Sequence, residues 1–282
     1  MSADVIDWRN PRVVSAVKLH RAAARRKSGA FLAEGANSVA AALDTGRATE
    51  LFYSPRAAER EHELVATAAA LGVRTTAVSE RAAEHLGETV TPAGLVAVCR
   101  LVDVPLSQVV SRAASPDSDM PVRSRLLAVP VQMADPGNAG TLIRVADAVG
   151  ADGVVLAGDS VDPHNGKCVR ACAGSLFHVP IARERDMDAV LGALRDNGIT
   201  VLATTARGEV DLDDADELLR DAGESGGTAW LFGNEAHGLD PAVAARADHR
   251  VRIPIHGRAE SLNLAAAAAI CLYADARVRH RS

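Results

Sequence analysis

Aromatic side chains are scarce: two Trp, two Tyr and four Phe make up 3% of the 282 residues. Any core must therefore be aliphatic and packed with alanine. Hydrophobic residues still reach 48%, enough to fill one large domain or two ordinary ones. No apolar run approaches the ~20 residues of a membrane-spanning helix, and the first residues hold no apolar stretch of a secretory signal. Both absences point to a cytoplasmic protein without a membrane partner. There are four cysteines, Cys99, Cys168, Cys172 and Cys271, which in that compartment are reduced thiols. His164, Cys168 and Cys172 share the i, i+4, i+8 spacing of one helix face, but a closed zinc site needs four ligands in pairs and no fourth is evident, so no metal is expected. The dinucleotide fingerprint G-x-G-x-x-G is absent as well, since 137–142 reads Gly-Asn-Ala-Gly-Thr-Leu, and so is the phosphate-loop signature.

The formal net charge of −5 argues against a wholly basic nucleic-acid binder. Its distribution is uneven. Residues 1–30 carry seven Lys and Arg against two Asp, and the remainder 24 against 34 acids. A basic arm on an acidic body suits phosphate contact, or is a solvated surface helix. Arg21, Arg25, Arg26 and Lys27 are its densest part.

Period and punctuation predict alternating strands and helices. Pro11 opens a helix running to about Lys27. A strand at Phe31-Leu32, a helix from about Asn37 to Gly46, a strand at Leu51–Tyr53 and a helix from Glu59 to Leu71 follow. A strand at Val73–Val78, a helix at Glu80–Leu86 and an apolar run at Leu95–Cys99 complete a small α/β module. Residues 103–124 change character: Ser111–Ser124 is rich in Pro, Ser and Asp, the composition of an exposed linker. The chain restarts with a strand at Leu126–Val131, the turn Asp135–Gly140 and a helix at Thr141–Val149. Strands at Gly153–Leu156, Phe177–Ile181, Ile199–Ala203, Ala229–Phe232 and Val251–Ile255 alternate with helical stretches at His164–Ala173, Met187–Asn197 and near Asp213–Arg220. Ser261 is an N-cap candidate for a last, alanine-rich helix. The expected fold is α/β: a mostly parallel C-terminal sheet with helices on both faces, plus the small N-terminal module. The expected divisions are 1–28, a basic arm; 29–102, an α/β module; 103–124, a linker; and 125–282, the larger domain.

Loops at strand ends in such sheets are where ligands bind, and three of them carry chemistry-bearing residues. In DPGNAGTLIR, residues 135–144, Arg144 sits among apolar neighbours. In LFGNEAHGL, residues 231–239, Gly233 lets backbone come close beside Asn234 and Glu235. In IPIHGRAESLNLA, residues 253–265, Ser261 and Asn263 lie at a helix start, where their side chains can also cap. Each alone has an ordinary structural explanation. Together, and in this order, they resemble the three motifs of the SpoU/TrmH family of RNA ribose 2′-O-methyltransferases. Phe31–Gly35 and Thr91–Gly94 resemble the RNA substrate-binding module that many of its members carry.

The resemblance implies a deep C-terminal trefoil knot, S-adenosylmethionine as methyl donor, no metal, and a homodimer through the knotted domain. It implies a catalytic set of Arg144, Asn138, Glu235, Ser261 and Asn263, cofactor contacts from Ala203, Thr204, Gly233, Ile253 and Leu262, and an RNA-facing Arg170. It assigns Arg144 to the target hydroxyl; because a guanidinium stays protonated, its use there is electrostatic. Ala236 and His237, and Leu264 and Ala265, depart from the family's commoner residues. The implied reaction is methylation of RNA, with 23S ribosomal RNA as the leading substrate. Transfer RNA, and a non-catalytic RNA-binding or assembly factor of the same fold, are the alternatives. A nucleotide-dependent enzyme using the Gly137–Gly140 turn is a third, disfavoured by the missing glycine fingerprint.

Overall fold

A computed structural model describes residues 5–89, 91–111 and 125–281. The chain divides into two compact units, one of Met1–Val102 with Asp162–His178 and one of Asp103–Val161 with Val179–Ser282. The stretch expected to be linker is in part structured: Leu106–Val110 is a helix with Val109 and Val110 buried, and residues 112–124 lie outside the described residues. The expected 125–282 domain is interrupted, because 162–178 packs with the first unit.

In the first unit, strands β1 (Ala30–Glu34), β2 (Ala48–Tyr53), β3 (Arg74–Ala77) and β4 (Leu95–Arg100) form a mixed sheet of order β1-β4-β2-β3. Both faces of the sheet are covered: Leu32, Phe52 and Val96 pack in one cluster with Val13, Ala82 and Leu86, and Phe31, Leu51 and Leu95, their strand neighbours, are fully buried on the other face. The predicted helix from Pro11 to Lys27 is broken: Pro11–Val17 and Ala22–Ser28 are separate helices, because Arg21 takes an extended conformation (φ −90°, ψ 128°). The predicted helix from Glu59 is likewise two, Pro55–Arg60 and His62–Ala70. Helix Glu80–Leu86 has the predicted bounds, and the Ser79 hydroxyl caps it by accepting from the Ala82 amide at 3.2 Å.

Buried polar groups tie this unit together. Arg25 was expected on an RNA-contacting arm. It is instead 3% exposed, with Nε and Nη2 donating to Asp162 at 3.0 and 2.7 Å and Nη1 to the carbonyls of Leu19 and His20. Four of the five guanidinium N–H groups are used, which leaves Arg21, Arg26 and Lys27 as the exposed cations of that stretch. Asp162 also accepts from the ring of buried His164 at 3.2 Å, while His164 Nε2 accepts from the Val102 amide at 3.2 Å. These bonds place the His164 proton on Nδ1. Burial alone would raise the Asp162 carboxyl; the bonds from His164 and Arg25 more than offset it and hold the carboxyl well below the usual range. His164 precedes the helix Gly166–Cys172, in which Cys168 and Cys172 are buried. Among the described residues no group of His, Cys, Asp and Glu is placed to hold a metal ion.

The second unit is a seven-stranded sheet. Its strands are β5 (Arg125–Pro130), β6 (Gly153–Ala157), β7 (Ile181–Glu184), β8 (Thr200–Thr204), β9 (Val210–Asp211), β10 (Gly227–Phe232) and β11 (His249–Arg252), in the order β7-β6-β5-β10-β8-β11-β9. Every pairing is parallel, as strands alternating with helices require. Strand β10 is buried along its whole length, the expected pattern for a central strand covered on both faces. The strand predicted at Phe177–Ile181 lies later, at Ile181–Glu184; Ser175–Phe177 is a 3₁₀ turn.

The helix after β5 begins earlier than predicted. It spans Pro136–Ala148, with Asp135 capping it by accepting from the Asn138 amide at 2.8 Å, so the glycine-bearing turn is the helix's own first turn. The last helix spans Leu264–Arg281. Its cap is Asn263, whose Oδ1 accepts from the amides of Ala265 and Ala266 at 2.9 and 3.3 Å, and not Ser261. This helix carries Asp275, fully buried, which accepts from Trp230 Nε1 at 2.8 Å and Thr228 Oγ1 at 2.6 Å and pairs with Arg279. Among the described residues no helix is long and apolar enough to cross a membrane.

Candidate active site

Parallel strands β5, β8, β10 and β11 release their loops at their C-terminal ends, on one side of the sheet, and the three motif loops are among them. After β10 the chain makes a tight turn closed by Asn234 and Gly238, whose amides each donate to the other's carbonyl at 2.8 Å. Gly233 is obligatory here: a Cβ would run into the backbone of Gly238 and Leu239. The turn is fixed to the β5 loop by Asn234 Nδ2, which donates to the Gln132 carbonyl at 2.7 Å. Gln132 itself holds a positive φ of 53°, an uncommon conformation for a non-glycine residue that is found most often where a site demands it.

From this turn a chain of hydrogen bonds crosses all three motifs. Glu235 accepts from the amides of Ala134 and Asp135 at 3.2 and 3.1 Å and from Asn138 Nδ2 at 3.3 Å. Asn138 Oδ1 accepts from Asn263 Nδ2 at 3.2 Å, and Asn263 Oδ1 caps the last helix. The direction is forced throughout. A carboxylate can only accept, so Asn138 must present its NH₂ to Glu235 and its oxygen to Asn263; Asn263 must then present its oxygen to the helix amides. Partial burial would raise the Glu235 carboxyl, but its own amide, those of Ala134 and Asp135, and the Asn138 side chain outweigh this and lower it. Glu235 is thus an anion at neutral pH, engaged by three neighbouring donors, suited to orienting groups and not to carrying a proton.

Beside this relay lies a cavity of about 330 Å³. Val251, Ile253, Ile255, Leu239 and Leu262 give it an apolar wall, and Glu260, Ser261 and His237 add polar groups. That composition and volume match a small-molecule site, which is roughly 300–1,000 Å³, mainly apolar, with few placed polar groups. A further wall is the segment after β8: Thr204, Thr205 and Ala206 line the cavity. The chain beyond is clipped to β11 by forked pairs of Glu209 with Arg250 (Nε at 2.8 Å) and of Asp211 with Arg252.

Of the residues expected at the cofactor, Thr204, Ile253 and Leu262 line the cavity. Ala203 is buried in β8 behind Thr204, and Gly233 is buried against the turn. Of the expected catalytic set, Asn138, Glu235 and Asn263 are joined directly, and Ser261 lines the cavity. Arg144 is exposed on the helix Pro136–Ala148, and it makes no hydrogen bond or ion pair among the described residues. Arg170, in the first unit, is half-buried and bonded to Glu34 and Glu88 at 3.4 and 3.2 Å. Glu260, Leu239 and Val251 are cavity residues that sequence reasoning passed over. Leu239 and Glu260 lie inside the motif stretches 231–239 and 253–265 without having been assigned a role, and Val251 lies two residues before the second of them.

Residues 125–273 match the model of the SpoU rRNA Methylase family, and residues 10–97 match the MRM3-like substrate binding domain. The chain belongs to the SpoU rRNA methylase family. This SpoU protein is 33% identical over 266 residues to the 23S rRNA (guanosine(2553)-2′-O)-methyltransferase RlmP of Bacillus subtilis, covering 94% of the chain and 96% of that relative. Its fold matches the AdoMet-bound rRNA methyltransferase from Sinorhizobium meliloti with a TM-score of 0.80 and 32% identity, covering 97% of each chain. It also matches the SpoU methyltransferase AviRb from Streptomyces viridochromogenes, solved with AdoMet, with a TM-score of 0.80, 28% identity and coverage of 97% and 100%.

Proposed function

We propose that this SpoU protein transfers a methyl group from S-adenosylmethionine to a ribose 2′-hydroxyl of 23S ribosomal RNA, in the cytoplasm. The observation that carries the reading is the hydrogen-bond relay Glu235–Asn138–Asn263 beside a largely apolar cavity built from the same three loops. The cavity fits the methyl donor in kind: its aliphatic wall suits a nucleoside, and the Glu260 carboxylate suits a cationic ligand. Thr204, Ile253 and Leu262 would hold it. The donor supplies an activated methyl on a sulfonium, so the protein's task is to align a weak nucleophile and stabilise its developing charge.

Arg144 does the latter. With no partner among the described residues, its guanidinium is available to an RNA phosphate or alkoxide, and it remains protonated throughout. The relay orients the ribose. We further propose that the C-terminal segment is threaded as a trefoil knot, and that the active form is a homodimer in which Arg144 serves the cavity of a second copy. In this reading Arg170, Arg21, Arg26 and Lys27 face the RNA, whereas Arg25 is structural.

The test is incubation with methyl-labelled S-adenosylmethionine and ribosomal RNA fragments, followed by alkaline hydrolysis, which a 2′-O-methyl group blocks at its own nucleotide. Arg144→Ala should keep cofactor binding by titration calorimetry and lose ~100-fold or more in turnover, the scale of removing one preorganised donor. Mixing Arg144→Ala with a Leu262→Arg cavity variant should restore part of the activity if the residues serve each other's sites. Label in base or in transfer RNA alone, or full turnover by Arg144→Ala, overturns the assignment.

A further inference from the structure

We infer that a cation–aromatic cluster on the first unit, Trp8 with Arg9, Arg81 and His85, is a contact site for single-stranded RNA. The inference rests on the methyltransferase reading above, and it places part of the RNA on residues that the basic stretch at 21–27 does not include. The matched substrate-binding span begins at residue 10, so Trp8 and Arg9 lie just before it.

The cluster is built on a fixed frame. Ile6 bridges Val78 in parallel, extending the sheet beside β3, with its amide donating to the Ala77 carbonyl at 3.0 Å and its carbonyl accepting from the Ser79 amide at 3.0 Å. Asp7 Oδ1 then accepts from the Trp8 amide and from Ser79 Oγ, both at 2.8 Å. Trp8 is therefore held where the helix Glu80–Leu86 begins. Arg81 and His85 stand at i and i+4 on that helix, so they share a face, and both meet the indole. The His85 ring stacks on it at 5.3 Å with an interplanar angle of 18°. The Arg81 guanidinium lies 5.0 Å, and that of Arg9 4.7 Å, from the ring centroid.

Two features distinguish this arrangement from simple anchoring of the arm. Arg9, Arg81 and His85 are exposed and Trp8 is only half-buried. Neither Arg9 nor Arg81 donates a side-chain hydrogen bond or makes an ion pair among the described residues, in contrast to Arg12 with Glu50 and Arg25 with Asp162. Two guanidinium groups gathered at one indole repel each other, and Asp7 is the acid that acts on both. An incoming phosphate relieves that repulsion, while a base can stack on the guanidinium planes, the imidazole or the indole. Stacking on aromatic and arginine planes with phosphates held by arginine is how unpaired RNA is bound. A duplex, whose bases are already stacked, gains only the phosphate contacts.

The chain supplies its own reporter. Of its two tryptophans, Trp230 is fully buried and bonded through Nε1 to Asp275, so an RNA-dependent change in tryptophan emission reports on Trp8. Titrating the full-length protein with an unpaired oligoribonucleotide should quench the emission, and Trp8→Leu should abolish the change. Filter binding should show Trp8→Leu weakened by ~10-fold, as removal of one base–aromatic stack implies. Arg9→Gln with Arg81→Gln should make the slope of log affinity against log salt shallower by roughly 1.4, about 0.7 for each phosphate no longer neutralised. S-adenosylmethionine affinity should be unchanged in both variants, and melting temperatures report whether the arm still docks. Wild-type binding of RNA with no emission change, or variants that keep wild-type affinity and salt slope, overturns the site and leaves the methyltransferase reading standing. A wild-type protein that neither binds RNA nor methylates it overturns both.

Discussion

Two polar clusters, one in each unit, use their residues in opposite ways. In the first, Arg25, Asp162 and His164 are sunk in the protein and satisfy one another. In the second, Asn138, Glu235 and Asn263 form a directed chain at the C-terminal ends of the strands, and Arg144, on the helix whose first turn holds Asn138, has no partner among the described residues. Arg25 and Arg144 would both read as unpaired cations in the sequence, one in a basic run and one in an apolar helix. What separates them is whether the folded chain supplies a carboxylate. The buried, matched Arg25 stabilises the protein; Arg144, left unmatched in an exposed position, is available to a ligand.

Substitutions can break or sharpen this contrast. The largest effect expected is on stability, from Arg25→Ala. It leaves Asp162 without its cation in a largely buried place, a loss of about 3–5 kcal/mol by analogy with other broken buried pairs, read by urea unfolding. Asp162 has a depressed folded pKa, so its stabilisation is fully present above the ordinary value of 3.8 and is lost as pH falls through the lower folded value. The gap between wild type and Arg25→Ala should therefore be constant near neutrality and shrink in acid. Arg144→Ala should do the reverse: a melting temperature within error of wild type, with the ~100-fold loss of turnover expected for a missing electrostatic donor.

Glu235→Gln should be intermediate. Its carboxamide sets an NH₂ against one of three donors, Ala134, Asp135 or Asn138, and one mismatched hydrogen bond costs about 1–3 kcal/mol. We expect kcat to fall ~10-fold with little change in cofactor affinity, and Glu235→Asp, which keeps the acceptor, to recover part of it. The smallest effect belongs to Asp211→Asn, which weakens an exposed clip on the cavity wall. The expectation is a rise of a few-fold in KM for S-adenosylmethionine at unchanged melting temperature, since exposed ion pairs contribute little to stability. A large thermal loss from Asp211→Asn, or none from Arg25→Ala, would erase the distinction between buried and exposed polar clusters.

Much of this was legible in the sequence. Gly150 and Gly198 follow helices with φ of 70° and 67°, as helix-stopping glycines do, and the aliphatic runs at 126–131 and 229–232 are parallel strands. Asn138, Asn234, Glu235 and Asn263 bond across the three loops because each lies in the segment that follows a strand, whereas Arg144, two turns into its helix, makes no bond to them. What was missed involves partners distant in the chain. Asp162 lies 137 positions from Arg25, and no local pattern announces that pairing. Nor does composition show that Asn263 caps the last helix and not Ser261, because both are good caps. The cap is decided by Asn138, which needs an amide from across the site. The break at Arg21 was likewise hidden, since Arg and Ala are both strong helix formers.

One consequence of the segment Asp162–His178 concerns how such a protein can be divided. It is genetically part of the methylase span, yet it furnishes the carboxylate for Arg25, the ring partners His164 and Phe177 for Phe31, and a helix against β1. A gene cut near residue 103 would separate the two matched families cleanly on paper and strip the first fragment of one of its walls. A fragment ending near residue 103 therefore needs 162–178 supplied from elsewhere in the chain before its core is complete.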